Sequence, residues 1–296
     1  MGLINQAGEP EGSGRPITPQ HLREWLGQPH SHPEQDIFLA EMAERLVGYA
    51  TTFRELEIGR VILGGCVHPA QRRRGIGSRL LKTSLNHAQE LGAAVAHIRV
   101  PERMKATLSF VQRHGFEVVH REWEMRLERS AEPLPVKLPP GFQHLPFRPG
   151  DEEKLTEIQN LAFAESRWFR PNSVEEIRYW ARMTSPGSRG IILITQSDQV
   201  VGYCWTGFYR DELIPLHQAG GRIFMMGVHP QYRGRGLGGA ALALGVNYLA
   251  GQGIGAVELT VDSQNLRAKK LYQSAGFQKK GVTLWYERAL GSGPLD

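Results

Sequence analysis

The sequence predicts two α+β domains in tandem, each a mixed β-sheet flanked by helices. Three observations carry that expectation. Residues 67–77, Val67-His68-Pro69-Ala70-Gln71-Arg72-Arg73-Arg74-Gly75-Ile76-Gly77, recur in outline as Val228-His229-Pro230-Gln231-Tyr232-Arg233-Gly234-Arg235-Gly236-Leu237-Gly238, offset by 161. Gly115-Phe116 returns as Gly276-Phe277 at the same offset, as a duplicated domain requires. Strand and helix patterns alternate within each copy, and residues 130–141, holding Pro133, Pro135, Pro139 and Pro140, read as a stiff linker. The expected domains are 17–129 and 142–290, with a loose Gly/Glu/Pro-containing tail at 1–16 and another at 291–296.

The elements of the second copy follow in order. Asp151 opens an amphipathic helix to about Ala164, with Leu155, Ile158, Leu161 and Ala162 on one side. A second helix follows Ser173. Residues 191–194 and 200–205 are apolar strands joined by the polar turn Ser197-Asp198-Gln199. Residues 222–228 form a strand that Pro230 ends, and the Arg/Gly turn leads into a helix through Leu249. Residues 256–261 are a strand, 265–274 a helix and 277–287 a returning strand. The first copy repeats this order from Ile37. Its Leu46-Val47-Gly48-Tyr49 parallels Val200-Val201-Gly202-Tyr203 at an offset of 154, so the second copy has the longer connection before its turn. The first copy has room for a single helix, near Gln20 to Trp25, before its first strand, and is the abbreviated domain.

With 41% apolar and 22% charged residues among 296, the chain is globular. No stretch approaches the ~18 apolar residues of a spanning helix, and no apolar run opens the chain as a signal peptide does. Cys66 and Cys204 sit in apolar surroundings, which favours neither a disulfide framework nor a metal site and fits a reducing cytoplasm. The net charge is +5, but the dense basic run Arg72-Arg73-Arg74 lies inside the repeated turn. Without an aromatic-interleaved basic stripe, nucleic acid is not an expected partner, nor is a membrane.

The turn lies between a strand and a helix. Its glycines permit φ > 0 and let backbone N–H groups face a ligand. The helix start adds unpaired N–H groups and its positive dipole end, and the arginines add charged donors. Such a nest suits a pyrophosphate. It lacks the Gly-Lys-Ser/Thr ending of a P-loop, and it lacks a dinucleotide fingerprint placed in a repeating βαβ unit with an acidic residue about twenty further on.

Arg-x-x-Gly-x-Gly after a Val-x-Pro strand end, then a strand, then Asn-x-x-Ala-x-x-x-Tyr-x-x-x-Gly-Phe, resembles the GNAT family of N-acetyltransferases. The second copy carries Arg233, Gly236, Gly238, Asn265, Ala268, Tyr272, Gly276 and Phe277 in those places. The resemblance implies a mixed sheet splayed between two strands, with acetyl-CoA in the opening. It implies that Met226, Gly227 and Val228 meet the pantetheine and acetyl oxygen. Arg233, Gly234, Arg235, Gly236, Leu237, Gly238 and Gly239 would wrap the pyrophosphate, and Asn265 would line the thiol side. In the first copy Val67, Arg72, Arg73, Arg74, Gly75, Ile76, Gly77 and Ser78 would do the same. By the same resemblance Tyr272 protonates the departing sulfur. Its counterpart is Val111, beside Phe110, and neither can give a proton. The first copy is therefore expected to bind CoA or serve structure, and to be catalytically weak or silent.

Acetyl transfer to an amine needs a neutral nucleophile, a stabilised oxyanion and a proton for the leaving thiolate. Glu258 is the candidate base, with Asp262 nearby and a water relay as the alternative. Glu165 is placed to face an amine. His68 and His229 sit in a turn where many residue types would serve. Trp168, Phe169, Trp180 and Trp205 are either an acceptor wall or core. Among two-domain members, Gly202-Tyr203-Cys204-Trp205-Thr206 and the long Arg/Gly turn are similar to the mycothiol synthases. This chain departs from them at Arg222, Thr260 and Gly207, where that subfamily carries an acidic residue, a tyrosine and a basic residue for its sugar-thiol acceptor. The expected activity is acetyl transfer from acetyl-CoA to a primary amine of a small metabolite. The alternatives are a protein amino group, a mycothiol-type acceptor, or a non-catalytic acetyl-CoA sensor. No metal is expected. The expected state is a monomer with an internal pseudo-dimer, or a homodimer.

Overall fold

A computed structural model describes residues 2–3, 18–128, 132–185, 187–208 and 220–291. The expected tails, and the linker start at 130–131, lie almost wholly outside the described residues. The chain divides into two compact units, Met1–Glu122 with Gly281–Asp296, and Trp123–Lys280.

The first unit opens with helix α1 (Pro19–Leu26), whose first turn is capped by the Thr18 hydroxyl accepting from the His21 N–H. One helical turn, α2 (Pro33–Asp36), precedes strands β1 (Ile37–Met42), β2 (Arg45–Glu55) and β3 (Arg60–Val67). Helix α3 (Ile76–Glu90), β4 (Val95–Pro101), α4 (Lys105–Arg113) and β5 (Glu117–Glu128) follow. Helix α3 buries Leu80, Leu81, Ser84, Leu85 and Ala88, one stripe at helical spacing.

The second unit contains β6 (Phe142–Pro146), α5 (Glu152–Phe163), α6 (Val174–Arg182), β7 (Ile191–Gln196), β8 (Gln199–Phe208) and β9 (Gly220–Val228). Then come α7 (Leu237–Gly251), β10 (Ala256–Asp262), α8 (Leu266–Ser274) and β11 (Gln278–Ala289). Ser173 and Glu176 close a capping box at the start of α6. Helix α7 is apolar almost all round and correspondingly buried, from Leu237 through Leu249. Gly245 lets it approach β8, because an added Cβ would collide with the Cys204 sulfur.

From the turn onward the copies stay in step. Helix α7, β10, α8 and β11 begin and end 161 residues after α3, β4, α4 and β5. The unit boundaries fall inside the two last strands, however. Strand β11 completes the first unit, running antiparallel to β4 from Thr283 opposite Pro101 to Ala289 opposite Val95. The later part of β5 belongs to the second unit, next to β10 in the strand order. The units thus differ from the linear segments 17–129 and 142–290. Repeat spacing reveals that a strand exists, but not which sheet edge it joins.

The first unit has strand order β1-β2-β3-β4-β11, with β3 and β4 parallel. The second has β5-β10-β9-β8-β7-β6, with β9 and β10 parallel. One irregularity separates them. The pairing of β2 with β3 is uninterrupted. In β8–β9, Trp205 faces Met225 but Thr206 faces Ile223, so Phe224 is an extra bulged residue.

Candidate active site

In the second unit, among the described residues, β9 pairs with β10 over three positions, ending at Glu258 opposite Arg222. It remains paired with β8 as far as Val228 opposite Gly202. Beyond Arg222 the sheet opens along β9, and the bulge at Phe224 lies where the opening begins. Past Arg222, Met226, Gly227 and Val228 have no ladder partner on β10, and the Val228 carbonyl accepts from Arg233 Nε at 3.4 Å. Strands β3 and β4 repeat the opening, pairing only from Arg60 opposite Val95 to Leu63 opposite Ile98.

The Arg/Gly turn closes one end of the opening. Gly234 and Gly236 both take left-handed backbone, with φ of 84° and 86°. An added Cβ at either would meet nothing within 4 Å, so no neighbouring atom crowds these two positions. Gly236 caps α7 without any side-chain bond, which leaves the N–H groups of the first helical turn uncapped. An open nest of N–H groups at a helix N-terminus fits a pyrophosphate. His229 caps the short turn that follows it: its Nδ1 accepts from the Gln231 N–H at 3.2 Å, as His68 does from Ala70. The two arginines separate. Arg235 is exposed, with its guanidinium 5.2 Å from the Tyr232 ring centroid. Arg233 donates instead to protein, through Nη1 to Glu165 at 2.7 Å and Nη2 to the Ala162 carbonyl at 2.8 Å.

Helix α8 packs beside the first turn of α7, with Leu271 next to Gly238 and Gly239. One residue further on, Tyr272 is 8% exposed and lies against Phe277, within the core that also holds Cys204 and Leu237. Burial, with Cys204 adding to it, pushes the phenol well above the ordinary tyrosine range. Tyr272 therefore keeps its proton at neutral pH, as an acid must. In the first unit the matching position is Val111, itself buried.

Other expected residues fall elsewhere. Trp205 is only 2% exposed, and its Nε1 donates to the Gly187 carbonyl at 3.1 Å. It is a core residue and not an acceptor contact, because its strand is central and both faces are covered. Trp180 packs against the same core. Glu165, expected to face an amine, pairs instead with Arg233 at the Arg/Gly turn. Glu258 sits at the last position of β10 that pairs with β9, and Arg126 of β5 donates to it at 2.8 Å. Asn265 caps α8, its Oδ1 accepting from the Ala268 N–H at 3.0 Å. The polar group Gln159, Asn172 and Arg170–Glu176 is local in sequence, within residues 159–176, but carries no motif that marks it.

The first unit keeps the same turn with one change. Arg73 occupies the left-handed position of Gly234, at φ 66°, and Gly75 that of Gly236, at φ 79°. A left-handed arginine costs roughly 1–2 kcal/mol, so the conformation is imposed by its surroundings. Among the described residues no cluster of three or more His, Cys, Asp or Glu could hold a metal. Among the described residues no helix is long and apolar enough to cross a membrane.

A splayed parallel pair with an N–H nest at its mouth, built twice, is matched by known sequences. The acetyltransferase (GNAT) family model matches residues 153–277, and a GNAT domain model matches 33–118. The mycothiol acetyltransferase of Kytococcus sedentarius is 30% identical over 280 residues, covering 91% of this chain and 88% of the relative. The chain belongs to the GNAT family of acetyltransferases. A mycothiol acetyltransferase from Paenarthrobacter aurescens is 32% identical over 248 residues, covering 82% of this chain and 75% of that protein. Two solved structures share the fold along the chain. A tandem GNAT protein from the clavulanic acid biosynthesis pathway has a TM-score of 0.75 at 17% identity, covering 99% and 94% of the two chains. A GCN5-related N-acetyltransferase from Sphaerobacter thermophilus has 0.71 at 23%, covering 98% and 91%. This GNAT protein is an acetyl-CoA-dependent N-acetyltransferase.

Proposed function

We propose that acetyl transfer takes place in the second unit and that the acceptor is a primary amine of a small metabolite. Acetyl-CoA supplies an activated acetyl thioester. The residues fitted to hold it are the N–H groups from Gly234 to Gly239, with Arg235 adding charge, and the free backbone edge of β9 at Met226 to Val228. Tyr272 holds a proton on Oη, and acyl transfer from a thioester needs a proton at the departing sulfur. An unpaired N–H on the open edge of β9 is suited to developing negative charge on a carbonyl oxygen.

The observation that carries this reading is the asymmetry at one position, a buried, protonated Tyr272 in one unit and Val111 in the other. Arg126 holds the Glu258 carboxylate in an ion pair, and a water relay is the reading we adopt for the amine proton. The first unit retains the turn and lacks the acid, which suits CoA binding or structure without turnover. The mycothiol acceptor is the second reading, favoured by identity along nine-tenths of the chain and opposed by Arg222, Thr260 and Gly207. The chain acts in the cytoplasm as a monomer or homodimer, without nucleic acid or membrane. Release of CoA thiol across amines, polyamines, amino acids, aminoglycosides and peptides tests the proposal. Turnover with one small-amine class supports it, and turnover confined to peptides overturns the acceptor.

A further inference from the structure

Arg233 stands at the motif position from which a phosphate contact is expected, yet its guanidinium is turned into the protein. Nε faces the Val228 carbonyl at 3.4 Å, Nη1 the Glu165 carboxylate and Nη2 the Ala162 carbonyl. One planar fork thus ties together the end of β9, the end of α5 and the segment after α5. The Ala162 carbonyl is among the last four of α5, which have no partner within the helix. A cation there also meets the negative end of the helix dipole. Glu165 is otherwise an anion beside a phosphate-binding turn, and the ion pair cancels that repulsion.

The segment so held borders the opening. It folds back through Ser166 N–H to Phe163 carbonyl and Phe169 N–H to Ser166 carbonyl bonds. The Phe163 and Phe169 rings stack at 5.5 Å. Ala162 and Phe163 lie against Gly227 on the unpaired stretch of β9, within 2.6 Å and 3.6 Å of where its Cβ would stand. We propose that Arg233 is a positioning residue and not a phosphate ligand: it locks residues 162–169 onto the cofactor turn and sets the acceptor side of the opening. The acceptor side is assigned on the proposed function above.

The test compares Arg233→Met/Glu165→Gln, which removes the clamp without leaving an unpaired charge, with Arg235→Met and Glu165→Gln. Acetyl-CoA affinity is read by calorimetry and amide exchange is followed over residues 162–170. In the double variant, acetyl-CoA Kd should stay within about threefold while exchange at Ser166 and Phe169 rises tenfold or more. Arg235→Met should weaken acetyl-CoA about tenfold with exchange unchanged. With whichever amine gives turnover, the double variant should raise acceptor KM about tenfold and leave acetyl-CoA KM within threefold, a split that general destabilisation does not produce. Two results would overturn the proposal: a tenfold loss of acetyl-CoA affinity in the double variant with exchange unchanged, or tighter acetyl-CoA binding by Glu165→Gln as the freed arginine reaches phosphate. If no amine turns over, the function proposal fails while the binding and exchange arms still decide the role of Arg233.

Discussion

Replacing Tyr272 with Phe isolates the proton donor. The ring is buried against Phe277, and the substitution keeps that ring while deleting one oxygen. Packing is retained, so stability should change by no more than about 1 kcal/mol. The nest and the free edge of β9 are untouched, so acetyl-CoA affinity should stay within about threefold. The loss should appear in turnover. General acid catalysis is typically worth about 10² to 10⁴ in rate, or roughly 3–5 kcal/mol of barrier, and the fall should lie between about tenfold and that upper limit, with water making up part of the loss. Because burial holds the phenol above its usual range, the wild-type rate should show no alkaline fall from this group below about pH 10. The assay is thiol release under saturating acetyl-CoA, with calorimetric affinity and a thermal midpoint on the same preparations. Turnover within threefold of wild type, at unchanged affinity, would refute the assignment of Tyr272 as acid.

Three further outcomes follow from the packing. Gly227→Ala should destabilise the second unit by about 1–3 kcal/mol, measured by urea unfolding, because its Cβ would stand 2.6 Å from the Ala162 Cβ and 3.0 Å from the Tyr203 ring. A fragment ending at Gly141 should fail to fold cooperatively, since it lacks the β11 residues that pair with β4 from Pro101 to Val95; a sharp thermal transition in that fragment would contradict the strand assignment. Burial pushes the Cys204 thiol from 9.0 up to about 12. The unfolded thiol ionises first, so stability is full below pH 9 and falls as pH rises toward 12. At pH 11 this one group accounts for a loss on the order of 2–3 kcal/mol, and Cys204→Ala should flatten that decline in pH-dependent unfolding.

Much of the second unit is legible in the sequence because its signals are local. Ser173 with Glu176 announces α6, and Gly234 and Gly236 announce a left-handed turn whatever surrounds them. The duplication carries that reading to the first unit, even to Arg73 in a glycine conformation. What was not legible depends on distant partners. Nothing in residues 278–289 marks them as the edge of the first unit's sheet, because either sheet accepts their alternation. An arginine in a phosphate motif looks alike whether it meets phosphate or Glu165, 68 residues earlier. Trp205 looked equally suited to a pocket wall, and only the helices on both faces of β8 make it core.

The central claim is that the opening of the second unit, and not that of the first, does the chemistry. Gly236→Glu and Gly75→Glu place the same carboxylate and the same backbone strain in the two equivalent turns. Thiol release with the best amine of the panel should be abolished by Gly236→Glu and kept within about threefold by Gly75→Glu. Loss of turnover in Gly75→Glu with retention in Gly236→Glu would contradict the account.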